Sequence, residues 1–128
     1  MSIIGRGAFD GPVTTYVKLS ASTASTPAIA ITATSAAGGG TAVHVADLFA
    51  YDVLQAYAFN ATAAPITAVM QAGTTATTTS MTITCAAGQY TVLAPNVPIS
   101  GGGTLGVWMA NATGGLSVWG QVARTFAT

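Results

Sequence analysis

Charge is what this 128-residue chain lacks most. Lys and Arg together number 3 and Asp and Glu 3, so charged residues make up 5% of it, against roughly 25% in ordinary soluble domains. The acidic residues are Asp10, Asp47 and Asp52; there is no glutamate, and His44 is the single histidine. So sparse a set of titratable groups argues against an enzyme, and no catalytic residue is assigned. Three scattered cations, Arg6, Lys18 and Arg124, do not make the phosphate-neutralising patch that a nucleic-acid partner needs.

Cysteine is scarce too. Cys85 is alone, which excludes an intrachain disulfide framework and argues against a cysteine-based zinc centre. No apolar run approaches the ~20 residues of a membrane-spanning helix. The most apolar region, 43–59, is broken by His44, Asp47, Asp52 and Gln55, so no membrane partner is expected. The opening MSIIGRG has no basic stretch followed by a long apolar one, which argues against a secretory leader. No G-x-S-x-G, H-E-x-x-H or phosphate-loop pattern occurs, and Ser100-Gly-Gly-Gly103 reads as a turn.

What is present is strand vocabulary. Hydrophobic residues are 51% of the chain, enough for one folded domain of this length. Residues 1–12, with Ile3, Ile4 and Phe9 among glycines, read as an extended arm, and 13–128 as a single β-sandwich domain. Period-two alternation places Ile29 and Ile31 on one face and Met81, Ile83 and Cys85 on another. It groups Leu105, Val107 and Met109, and again Leu116, Val118, Val122 and Phe126. Weaker strand signals cover 13–19, 53–59, 66–72 and 89–94. Turn clusters AAGGG (36–40), NATAAP (60–65), QAGTT (71–75) and SGGG (100–103) separate them. The expected class is all-β, an antiparallel β-sandwich. One segment has two readings. Val45, Leu48, Phe49 and Val53 have helical spacing, so 45–51 reads either as a short helix or as extended chain.

A four-residue turn at 112–115 would pair the last two strands as a hairpin, setting Met109 against Val118 and Trp108 against Trp119. Two adjacent exposed tryptophans would form an aromatic patch, which makes Trp108 and Trp119 the first candidates for a subunit interface; the other readings are cover by the N-terminal arm or a neighbouring part of the chain, and a ligand platform. Ile3, Ile4 and Phe9 are the candidate anchors of the arm on a neighbouring subunit. His44, Asp47 and Asp52 have spacings that match no metal motif and read as ordinary polar groups. Asn60-Ala-Thr62 and Asn111-Ala-Thr113 fit the glycosylation pattern but sit where asparagine favours turns. Arg124 interrupts an apolar face, either paired with an aspartate or at the sheet rim.

The stretches VLQAYAFNATAAPITAVMQAG (53–73), YTVLAPNVPISGGGTLGV (90–107) and GGLSVWGQVARTF (114–126) resemble, in rhythm, small phage capsid decoration (cement) proteins. The resemblance covers about half the chain and carries no catalytic signature. It implies a jelly-roll-like sandwich, often trimeric, without cofactor, that sits on the surface of an icosahedral virion after synthesis in the host cytoplasm. Its partners would be copies of itself and the major capsid protein, and its work the bridging of capsomers. The rival expectation is a carbohydrate- or receptor-binding β-module on a virion, tail or fibre surface.

Overall fold

The computed structural model describes residues 13–73 and 78–126. Nine strands account for most of them: β1 (Val13–Lys18), β2 (Ile29–Ala30), β3 (Thr41–Val45), β4 (Ala50–Asn60), β5 (Ile66–Gly73), β6 (Thr78–Cys85), β7 (Tyr90–Ser100), β8 (Thr104–Met109) and β9 (Leu116–Phe126). The first sheet runs β1–β9–β4–β7, with β2 also on β9, and the second runs β3–β8–β5–β6. Strands β1 and β2 lie along successive parts of β9, Lys18 opposite Gln121 and Ile29 opposite Val118, and act as one interrupted edge strand.

Every connection from β2 onward crosses between the sheets except the β5–β6 hairpin. Counting β1 and β2 as one strand, this is the eight-strand, two-sheet jelly roll. The sandwich core is aliphatic. Leu19, Leu54, Leu93, Val118 and Val122 from the first sheet and its flanks meet Val43, Ile66, Leu105, Val107 and Met109 from the second. Alanines 50, 56, 58, 68 and 94 fill further inward positions.

One expectation is corrected and one open reading is decided. The last strands are not a hairpin: β8 pairs with β3 and β5, β9 with β1, β2 and β4, and residues 110–115 cross from one sheet to the other. Matching alternation in two strands shows that each has a core face. It does not show that they share a sheet. Nor is 45–51 helical. The chain turns between β3 and β4, with Asp47 Oδ1 accepting the Phe49 N–H at 2.9 Å and the Asp47 carbonyl accepting the Ala50 N–H. The apolar residues that gave the helical spacing, Leu48 and Phe49, are exposed at the tip of that turn. Among the described residues the one helical piece is a single 3-10 turn at Ala37–Gly39. The proposed arm, with Ile3, Ile4 and Phe9, lies outside the described residues.

Candidate interaction face

The aromatic residues are on the wrong side for a core. Aromatic side chains ordinarily dominate protein interiors because each buries 150–250 Å². Here none of the described ones is buried: Tyr57, Phe59 and Trp108 are partly covered, and Tyr16, Phe49, Tyr51, Tyr90, Trp119 and Phe126 are exposed.

Strand β4 produces most of this arrangement. Its burial alternates without a break, so Ala50, Asp52, Leu54, Ala56, Ala58 and Asn60 point inward, and Tyr51, Val53, Gln55, Tyr57 and Phe59 point outward. Antiparallel register brings matching outward residues alongside. Trp119 of β9 stands opposite Tyr57, and Tyr90 and Val92 of β7 stand opposite Phe59 and Tyr57. Tyr57 and Trp119 have ring centroids 5.1 Å apart, Phe59 and Tyr90 4.7 Å, and Tyr90 meets Trp119 edge-on at 6.2 Å. Despite this mutual contact Trp119 remains 42% exposed and Tyr90 62%.

A row of amides divides the face. Gln121 Nε2 donates to Gln55 Oε1 at 3.4 Å, and Gln55 Nε2 donates to Asn96 Oδ1 at 3.2 Å. A hollow of about 300 Å³ lies on the Tyr57/Trp119 side of the row. Another of about 220 Å³, bounded by Tyr16, Val53 and Ala123, lies on the other side. Lys18, at the edge on β1, is the one charged residue among the described outward positions of this sheet.

The two tryptophans named from the sequence are not neighbours. Trp119 belongs to this face; Trp108 is on the outer surface of the second sheet, opposite Val69. It is partly covered there by the loop after β2. A Cβ on Gly40, whose φ is 81°, would lie 2.9 Å from the Trp108 ring, and a Cβ on Gly106 would strike the Gly39 carbonyl. That outer surface otherwise carries the polar, uncharged Thr67, Gln71, Ser80, Thr82, Thr84 and Thr104, with the small apolar Ala42, Val45 and Val69.

The remaining candidates are built into the interior. Arg124 grips Asp52 with two parallel bonds of 2.9 Å, Nε to Oδ1 and Nη2 to Oδ2. His44, on the opposite sheet, bonds Asp52 Oδ2 through Nε2 at 2.7 Å. Its Nδ1 accepts the Ser20 N–H at 3.0 Å, so the ring carries its proton on Nε2 and donates it to the carboxylate. Burial of Asp52 acts to raise its pKa, but hydrogen bonds from Arg124 and then His44 outweigh it and hold the carboxyl below its ordinary 3.8. The bond to Asp52 in turn raises the pKa of Arg124. This trio ties β3 to β4 and β9 and presents no open position to solvent, since Asp52 and His44 are buried. Asp47 is spent on its turn, and no group of three metal-ligating residues occurs among the described residues.

Cys85 is buried, and burial pushes its thiol pKa up, away from nucleophilic use. Asn60 is fully buried. It donates to the carbonyls of Ala64 and Cys85 and accepts from the Thr62 N–H and hydroxyl, so it organises the β4–β5 turn. Asn111 does related work, accepting the Thr67 N–H and donating to the Pro65 carbonyl.

Sequence reasoning missed Tyr16, Phe59, Tyr90 and Val92 as members of the face. The signal was present in β4, where large outward residues alternate with small inward ones. The fold and this face together define a class: a jelly-roll sandwich with an aliphatic core and its aromatic residues outside. Compared with known proteins, the chain matches no family model, no curated protein and no solved structure.

Proposed function

We propose that this chain is a structural subunit of a virus particle, a protein that decorates an icosahedral phage capsid and bridges its capsomers through the outer face of the first sheet. One observation carries the reading: no described aromatic residue is used in the core, while Tyr57, Phe59, Tyr90 and Trp119 are gathered on one nearly uncharged sheet face. Covering a side chain of this size contributes roughly 1.5–3 kcal/mol, so a few such contacts repeated around a shell sum to a strong attachment. The exterior also has little charge to keep copies apart. With Asp52 and Arg124 paired, Lys18 and Asp47 are the remaining charged side chains among the described residues. Copies of this chain and the major capsid protein are the partners this reading assigns, and the capsid surface is its location.

The test is to locate the chain on purified particles of the virus that encodes it, by antibody labelling and electron microscopy. A regular lattice of label over the shell supports decoration; label confined to a tail or fibre, or its absence, removes it. Trp119→Ala should abolish attachment to the shell while leaving the urea unfolding midpoint almost unchanged, because the side chain is outside the core.

A second reading has its own observation. Aromatic rings beside a planar amide row, Tyr57 and Trp119 next to Gln55 and Gln121, are chemistry that suits a sugar ring. A saturable glycan-array signal lost in Trp119→Ala would favour that binding module over decoration.

A further inference from the structure

Three of the four edges of this sandwich are blunted, each by a different device. Strand β3 is short and carries a register shift between Ala42 and His44. Its outer edge is occupied: Ala21 N–H bonds the Val43 carbonyl, Val45 N–H bonds Ser20 Oγ, and Thr41 Oγ1 takes the N–H groups of Thr32 and Ala33. Strand β7 contains Pro95 and Pro98 and two register shifts against β4. The β1/β2 edge is interrupted by the 19–28 excursion and carries Lys18. These are the usual protections against edge-to-edge pairing.

Strand β6 has none of them. Its eight residues, TTSMTITC, include no charge and no proline, and its register against β5 runs from Ile66↔Cys85 to Gly73↔Thr78 without a shift. The direction of its free hydrogen-bonding groups follows from β5. The Thr67 carbonyl accepts from Ala110 and its N–H donates to Asn111, so Thr67 and alternate residues of β5 point toward β8. Ile66, Ala68, Met70 and Ala72 therefore point toward β6 and bond Cys85, Ile83, Met81 and Thr79. The N–H and C=O groups of Thr78, Ser80, Thr82 and Thr84 point outward, and no described residue bonds those of Ser80, Thr82 and Thr84. The core side of the same edge is also open: Met81 is 46% exposed although its neighbour Met70 is buried.

We propose that β6 is a self-pairing edge, through which two copies of this chain join antiparallel and extend the second sheet across a two-fold axis. The strand is self-complementary. With the axis at Met81, Thr78 meets Thr84 of the second copy and Ser80 meets Thr82, so all four outward residues of each strand exchange hydrogen bonds. Met81 stands opposite the second copy's Met81, and Thr79 opposite its Ile83, on the core side. No like charges face each other, because β6 has none. The axis is perpendicular to the sheet, which keeps the core faces on one side, and the neighbouring β7 edge, with its prolines, does not pair. An isologous contact of this kind closes on itself instead of propagating. It stands independently of the aromatic face and of the virion reading.

Light scattering on the full chain over a dilution series, with two variants, tests it. Wild type is expected to be a dimer, or a larger assembly with an even copy number. Thr82→Pro removes an outward N–H without touching a bond to β5, so the variant should keep the wild-type far-UV circular dichroism and a cooperative unfolding transition, and fall to half the copy number. Met81→Cys should form a reducible intermolecular cross-link on mild oxidation, since facing residues at a non-hydrogen-bonded antiparallel pair lie within disulfide reach. Thr79→Cys should not. A monomeric wild type would overturn the proposal. So would an oligomer, trimer included, whose mass Thr82→Pro leaves unchanged, or cross-linking through position 79 and not 81. A monomer whose β6 amides are protected from hydrogen exchange would assign the edge to another segment of the same chain.

Discussion

Asp52 is the residue on which the two sheets are pinned together. Its carboxylate is fully buried and satisfied by Arg124 from β9 and His44 from β3. Asp52→Ala would leave both partners without their acceptor, and removing one member of a buried pair costs about 3–5 kcal/mol; urea unfolding should show a loss of that size. The pair also sets an acid limit. A folded pKa held below 3.8 means that its stabilisation is complete above that value and is lost as pH falls through the lower folded pKa. The urea midpoint of wild type should therefore drop below pH 3.8 by more than that of Asp52→Asn, which has no carboxyl to titrate. The sequence contained all three residues but set His44 and Asp52 beside Asp47 as neighbours along the chain. Arg124, 72 positions from Asp52, is the partner that counts.

At the scale of elements, loops finish what strands begin. The 3-10 turn after β2 covers Trp108 because Gly40 adopts a positive φ and Gly106 lets the Gly39 carbonyl approach the sheet. Gly40→Ala should cost about 1–3 kcal/mol for the backbone alone, because φ 81° with ψ −160° is a conformation essentially reserved to glycine. By lifting the loop it should also shift Trp108 emission to the red, read in a Trp119→Phe background. The β4–β5 turn depends on Asn60 in a similar way. Asn60→Ala would strand the buried carbonyl of Cys85 and the Thr62 donors, with an expected loss of about 1–3 kcal/mol in urea unfolding.

For the whole molecule, the division of residue types between inside and outside decides how it meets other surfaces. An aliphatic and alanine core leaves the large rings for the exterior, and the scarcity of charge leaves few electrostatic contacts to screen. Attachment through the first sheet's face should therefore change little from low to high sodium chloride and strengthen in sulfate, which favours apolar burial. Sedimentation with purified particles across the two salts is the measurement. A steep loss with sodium chloride would mean that charge, and not the aromatic face, holds the complex.

The all-β class, the core-facing positions of Ile29, Ile31, Cys85, Leu105, Val107, Met109, Val118 and Val122, and the scarcity of surface charge are legible in the sequence alone. Alternation and composition are local properties, and each strand carries its own. That β8 and β9 belong to different sheets emerges with the three-dimensional fold, because strand pairing is settled by hydrogen bonds between segments far apart in the chain. The fold also decides which face of β4 is buried. By hydrophobicity alone, Tyr57 and Phe59 compete with Ala56 and Ala58 for the interior. The sheets of a sandwich stand about 10 Å apart. Leucine, isoleucine and methionine from the facing strands already fill that gap, so the alanines fit inside and the rings are left on the outer face.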